Sequence, residues 1–179
     1  HTTSETTVND NLTVTGDLSV TGTDNVGITH ASQWRLGTSK TGGGVITANL
    51  EEVDTGGYGR RGGAMTESSG VFTFPSTGYW LITAIGQFNY TDIISYIGVF
   101  IQTTVDDDAY IGTTENYGSF PNETATMRTN TAANFIFDVT SVSTHKVKFS
   151  IGTSDGNSIC RGATGVNHTH FTFIKLGET

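Results

Sequence analysis

The chain has 179 residues, enough for one ordinary domain and a short appendage, and its 35% hydrophobic and 10% aromatic content excludes a disordered chain. A net charge of −8 argues against nucleic acid or an anionic membrane surface as partner, because phosphate binding needs a basic footprint. One cysteine, Cys160, excludes an intrachain disulfide, and no apolar run of 18 residues exists to span a membrane.

With 23 glycines, abundant Thr and Ser and only 15% charged residues, the composition starves helices and favours short strands joined by turns. The first elements are two consecutive six-residue units, Asn11-Leu12-Thr13-Val14-Thr15-Gly16 and Asp17-Leu18-Ser19-Val20-Thr21-Gly22. Strands this short bury no core alone and become stable only when copies stack or associate. Residues 1–29, in which His1 reads as the remnant of a tag, are therefore expected to form a β-repeat stem, and residues 30–179 a head domain.

Within the head, Gly37-Thr38-Ser39-Lys40-Thr41-Gly42-Gly43-Gly44 lacks the order of a phosphate loop and any following helix. Gly56–Gly63, holding Tyr58, Arg60 and Arg61, reads as a flexible, exposed loop. Gly70-Val71-Phe72-Thr73-Phe74-Pro75 gives a strand and a turn, and Tyr79-Trp80-Leu81-Ile82-Thr83-Ala84-Ile85 a second strand that is apolar on both faces. A doubly apolar antiparallel strand needs cover on both sides, and a sandwich core supplies one. Ile93 to Ile101 repeats the pattern, with Ile94, Tyr96 and Phe100 on one parity. A monomer with two such strands would expose a large apolar patch. Tyr79, Trp80, Leu81, Ile82, Ile94, Tyr96 and Phe100 are accordingly the expected oligomer interface.

Asp106-Asp107-Asp108 lacks the spacing of a calcium loop and reads as a solvated turn, as do Pro121-Asn122 and Asp155-Gly156-Asn157. Cys160 has no histidine placed near it by any motif and reads as a buried strand residue rather than a nucleophile. In a strand, His168 and His170 of Asn167-His168-Thr169-His170 would share one face about 7 Å apart. Three such pairs around a threefold axis would offer six imidazoles, enough for a transition metal. No other cofactor is expected. Many short strands with polar loops and no helical periodicity predict an all-β antiparallel jelly-roll sandwich.

Gly70-Val71-Phe72-Thr73-Phe74-Pro75-Ser76-Thr77-Gly78-Tyr79-Trp80-Leu81-Ile82, with the closing Phe171-Thr172-Phe173-Ile174-Lys175-Leu176, resembles the signature of complement component 1q and tumour-necrosis-factor-like heads. The resemblance could span about 32–177 and is weakest around 138–145. It implies a ten-stranded jelly roll forming a tight homotrimer. The two repeats of the stem resemble those of bacteriophage fibre and appendage proteins. Together the two resemblances imply a trimeric virion-surface knob, joined to other virion proteins through its stem. Such a knob would bind a host surface glycan or protein without catalysis. Tyr58, Arg60, Arg61, Tyr110, Tyr117 and Phe120 are the candidate receptor contacts, the tyrosines and Phe120 by stacking on sugar rings. A purely structural trimerisation or capsid-decoration module is the alternative. A soluble signalling ligand is disfavoured by the stem, and a polysaccharide-degrading enzyme by the lack of any nucleophile–base or paired-carboxylate pattern.

Overall fold

The structure is a computed structural model that describes residues 11, 13–16, 27–90, 94–120 and 126–179. The expected stem and the Pro121-Asn122 turn lie almost wholly outside the described residues. The described part of the head contains thirteen strands and no helix: β1 (Ala31–Leu36), β2 (Thr38–Thr41), β3 (Gly44–Val45), β4 (Leu50–Glu52), β5 (Thr66–Ser68), β6 (Val71–Thr73), β7 (Gly78–Tyr90), β8 (Ile94–Thr104), β9 (Ile111–Phe120), β10 (Met127–Val139), β11 (Lys146–Thr153), β12 (Ile159–Ala163) and β13 (His170–Gly177).

The strands form two antiparallel sheets packed as a jelly-roll sandwich. One has seven strands, with β7 at its centre, β10 on one side, β13, β1 and β4 on the other, and β12 and β2 beyond the end of β13. The other runs β5-β6-β11-β8-β9, with β3 also on β11. The period-two alternation of β7 decides which residues face inward. Trp80, Ile82, Ala84 and Phe88 are at most 1% exposed, and the intervening residues point to the opposite face.

Aromatic rings join the sheets across the core. Phe149 of β11 stacks on Phe171 of β13 at 4.0 Å between centroids. Phe72 of β6 meets Trp34 of β1 edge-on at 5.3 Å and Phe173 of β13 at the same distance. Offset and edge-on pairs of this kind add about 0.5–1.5 kcal/mol beyond the burial of their area. The turn feeding β6 depends on Gly70, whose φ is +86°; a Cβ there would lie 2.2 Å from the Ile46 carbonyl oxygen.

The alternation corrects part of the expected interface. Trp80 and Ile82 lie in the protomer's own core and have nothing left to offer a neighbour. Ile94 shares parity with Tyr96 and Phe100 in sequence, but a β-bulge between Ile94 and Ile97 turns it inward to 1% exposure. Phe120, its cross-strand partner, is 3% exposed and packs in the core instead of contacting a receptor. Tyr79 and Leu81 do face outward from the seven-stranded sheet. Tyr96 and Phe100 face outward from the other sheet, on the opposite side of the sandwich.

Phe72→Ala should cost about 3–5 kcal/mol, since the rings of both sheets lose a shared partner. Chemical denaturation at fixed protein concentration measures it, and a loss below about 1 kcal/mol would show that these contacts do not hold the sandwich.

Candidate functional site

Strand register fixes the order of side chains across the outer face of the seven-stranded sheet. At the end where β1 begins, Ala31, Ile174, Leu81 and Ile136 line up across β1, β13, β7 and β10. Tyr79 and Leu176 flank them, and Tyr79, Leu176 and Ile136 are 42%, 46% and 58% exposed. These residues form an apolar belt. The N-terminal segment arrives at the same end, where the His30 ring lies 5.6 Å from Trp80 and the His30 carbonyl accepts from the Lys175 amide.

The next row is polar: Gln33 Nε2 donates to Thr172 Oγ1 at 2.9 Å, and Thr83 Oγ1 donates to Asn134 Oδ1 at 2.8 Å. Below it stand Arg35, His170, Ile85 and Ala132. Arg35 is held at 1% exposure by Glu51, Thr55 and Asp54. At the far end Gln87 is opposite Asn130, Asn89 is opposite Arg128, and Arg161 Nη1 donates to Gln87 Oε1.

Of the two histidines expected on one strand face, only His170 belongs to a strand. β13 begins at His170, and His168 lies in the bend before it, its amide donating to the Val166 carbonyl at 2.9 Å. Burial lowers the proton affinity of His168, and Arg161 and Arg128 lower it further. Burial also lowers that of His170, outweighing an opposing contribution from the Asn167 backbone. A cationic neighbourhood around His168 opposes a bound cation. Among the described residues no group of three metal-ligating side chains converges.

Several candidate receptor contacts are engaged within the fold. The Tyr58 hydroxyl donates to Glu52 Oε1 at 2.9 Å and accepts the Gln33 amide at 3.1 Å. Arg60 pairs with Glu52 at 2.8 Å, and Arg61 exchanges two backbone bonds with Ala31. The 56–63 loop is thereby tied to β1 and β4. Lys148 Nζ lies 3.6 Å above the Tyr110 ring. Tyr117, 49% exposed, instead joins Tyr96 and Phe100: its ring lies 5.4 Å from Tyr96 and 5.1 Å from Phe100, both edge-on. Phe100 covers Gly152 so closely that a Cβ there would lie 2.0 Å from the ring. Tyr96 and Tyr117 line an open groove of about 330 Å³, and the Tyr117 hydroxyl donates to Glu115 Oε2 at 2.7 Å. Cys160 is 1% exposed and burial pushes its thiol up to about 11, so it is no nucleophile at neutral pH.

Solved structures share this architecture. Murine APRIL at pH 5.0 superposes with a TM-score of 0.57 at 13% identity, covering 82% of this chain and 98% of that one. Eiger TNF from S. frugiperda superposes with a TM-score of 0.58 at 12% identity, covering 86% and 95% respectively. No family model and no curated protein sequence matches the chain. The head is thus a TNF-like antiparallel jelly roll.

Three histidines, His30, His168 and His170, bind protons less readily in the fold than the usual imidazole near 6.5. The unfolded chain therefore takes up protons first, and their contribution to stability, present above pH 6.5, is lost as pH falls through the folded values. The melting temperature should drop between pH 7.5 and 5.5; a rise would contradict the burial of these rings. A thiol reagent at pH 7.5 should label Cys160 only after denaturation, and rapid labelling of the native protein would contradict its burial.

Proposed function

We propose that this chain is the homotrimeric head of a bacteriophage fibre or head appendage, exposed on the virion surface, which binds a host-cell surface glycan or protein without catalysis. One observation carries the reading. The apolar belt of Tyr79, Leu81, Ile136, Ile174 and Leu176 lies uncovered on an outer sheet face, at the end where the N-terminal segment arrives. An apolar patch rimmed by polar residues is a common mark of an association surface. Three copies joined by their belts would place three stems side by side, which is what repeats too short to fold alone require. The TNF-like fold and the phage-like repeats of the stem support the same reading.

Attachment then works by avidity. Identical binding surfaces, presented together, meet a repetitive cell surface, and the second and third contacts form at high effective concentration. The stem holds the other virion proteins.

Leu81→Asp/Ile136→Asp places carboxylates in the belt and should raise the dissociation constant of the trimer at least about a hundredfold while leaving the core intact. Light scattering reads the mass: three times the chain for the native protein, and one chain for the variant. A native monomer at micromolar concentration would overturn the trimer. Purified heads should also slow phage adsorption to host cells, and unchanged adsorption would overturn the receptor-binding assignment in favour of a purely structural module.

A further inference from the structure

The end of the seven-stranded sheet away from the belt has the opposite chemistry. From Tyr79 to Asn89, β7 advances ten residues, roughly 33 Å at the rise of a strand. There Arg128 stands opposite Asn89 on one side of β7, and Arg161 reaches Gln87 from the other. Cys160, which precedes Arg161, points into the core, so Arg161 itself emerges on the same outer face as Gln87 and Arg128. His168 follows beside them in the chain: the Gln87 amide donates to Oγ1 of its neighbour Thr169 at 3.1 Å, and Arg161 and Arg128, after burial, lower the proton affinity of its ring.

Among the described residues no carboxylate answers these charges. The ion pairs among the described residues engage Arg35, Arg60 and Lys175, and neither Arg128 nor Arg161 pairs with a described carboxylate. In a chain of net charge −8, two arginines on one end of one sheet face with no described carboxylate paired to them are unlike their surroundings. Neutral His168 adds one ring N–H donor. Guanidinium groups suit planar or tetrahedral oxyanions through paired N–H donors. Like charges cannot be buried against copies of themselves without a counter-ion, so this end of the face either remains in water or holds an anion.

We propose that Arg128, Arg161 and His168, with the Asn130 side chain beside them, form a site for an oxyanion group, a carboxylate or phosphate, and that its ligand in attachment is an acidic surface polysaccharide. The second half of this statement rests on the receptor-binding reading; the first half does not.

Calorimetric titration of the full chain at low ionic strength, with inorganic phosphate, with polysialic acid as a polymeric carboxylate and with neutral dextran, tests both. Phosphate and polysialic acid should bind saturably and dextran should not. Arg128→Gln/Arg161→Gln should weaken both anions by about tenfold or more, the scale of losing one charge-assisted hydrogen bond. Phosphate should also shift the ring resonances of His168 in the unaltered protein, a readout independent of how the variant folds. No saturable anion binding, equal affinity in the double variant, or an unmoved His168 ring would overturn the site. Binding of phosphate without polysialic acid would overturn the polymeric ligand. If the unaltered head binds both anions yet leaves phage adsorption unchanged, the receptor reading fails and the site stands. If the double variant blocks adsorption as well as the unaltered head, the receptor reading stands and the acidic ligand is overturned.

Discussion

The alternation of side chains along β7 is the constraint on which the rest depends. Its thirteen residues pair over their whole length with β10 and, for the first half, with β13. The inward residues Trp80, Ile82, Ala84 and Phe88 are all buried in the core, so a slip of one residue would send Trp80, Ile82 and Phe88 into water. The same locking orders the outer face. Because β7 cannot slip, Leu81 must lie between Ile174 and Ile136, and Asn89 must lie beside Arg128. Core packing thereby sets the chemistry of a surface that contributes little to the core.

The sheet content was legible in the strand parities and in the turn residues that bound them, whereas the outward aim of Tyr79 and Leu81 was not. Parity failed where both phases are apolar. Tyr79-Trp80-Leu81-Ile82 gives no sign of which pair a core will claim, and only the partner sheet resolves it. Ile94 escaped for a different reason: a bulge changes the phase within a strand, and no residue between Ile94 and Ile97 announces it. His168 looked like a strand residue because the pattern continues two residues upstream of where β13 begins. Arg128 and Arg161 left no sequence signal, since β10 and β12 meet only through β7.

Tyr96, Phe100 and Tyr117 show how topology redistributes roles. In sequence the first two read as interface and the third as a receptor contact. Pairing of β8 with β9 sets Tyr117 opposite Gly98, so its ring fills the space between Tyr96 and Phe100. The cluster faces away from the belt on the far side of the sandwich. One association surface on one sheet therefore cannot include all the doubly apolar strands. The two strands that suggested oligomerisation serve opposite faces, and β7 with β10 and β13 carries that argument alone.

Segregating apolar and cationic residues at opposite ends of one sheet face has an energetic consequence. Burying the belt gains roughly 25 cal/mol for each Å² of apolar surface, whereas burying an unpaired guanidinium costs several kcal/mol. Copies that associate through this face gain most when they meet at the Tyr79 end and part at the Arg128 end. The gradient would give such an assembly a polarity that neither charge nor hydropathy alone would impose. It also aligns with the chain path: the N-terminal segment reaches the sandwich beside Trp80, at the end that favours contact. The Asn89 end of β7, farthest from that segment, is the end where burial against another copy costs most.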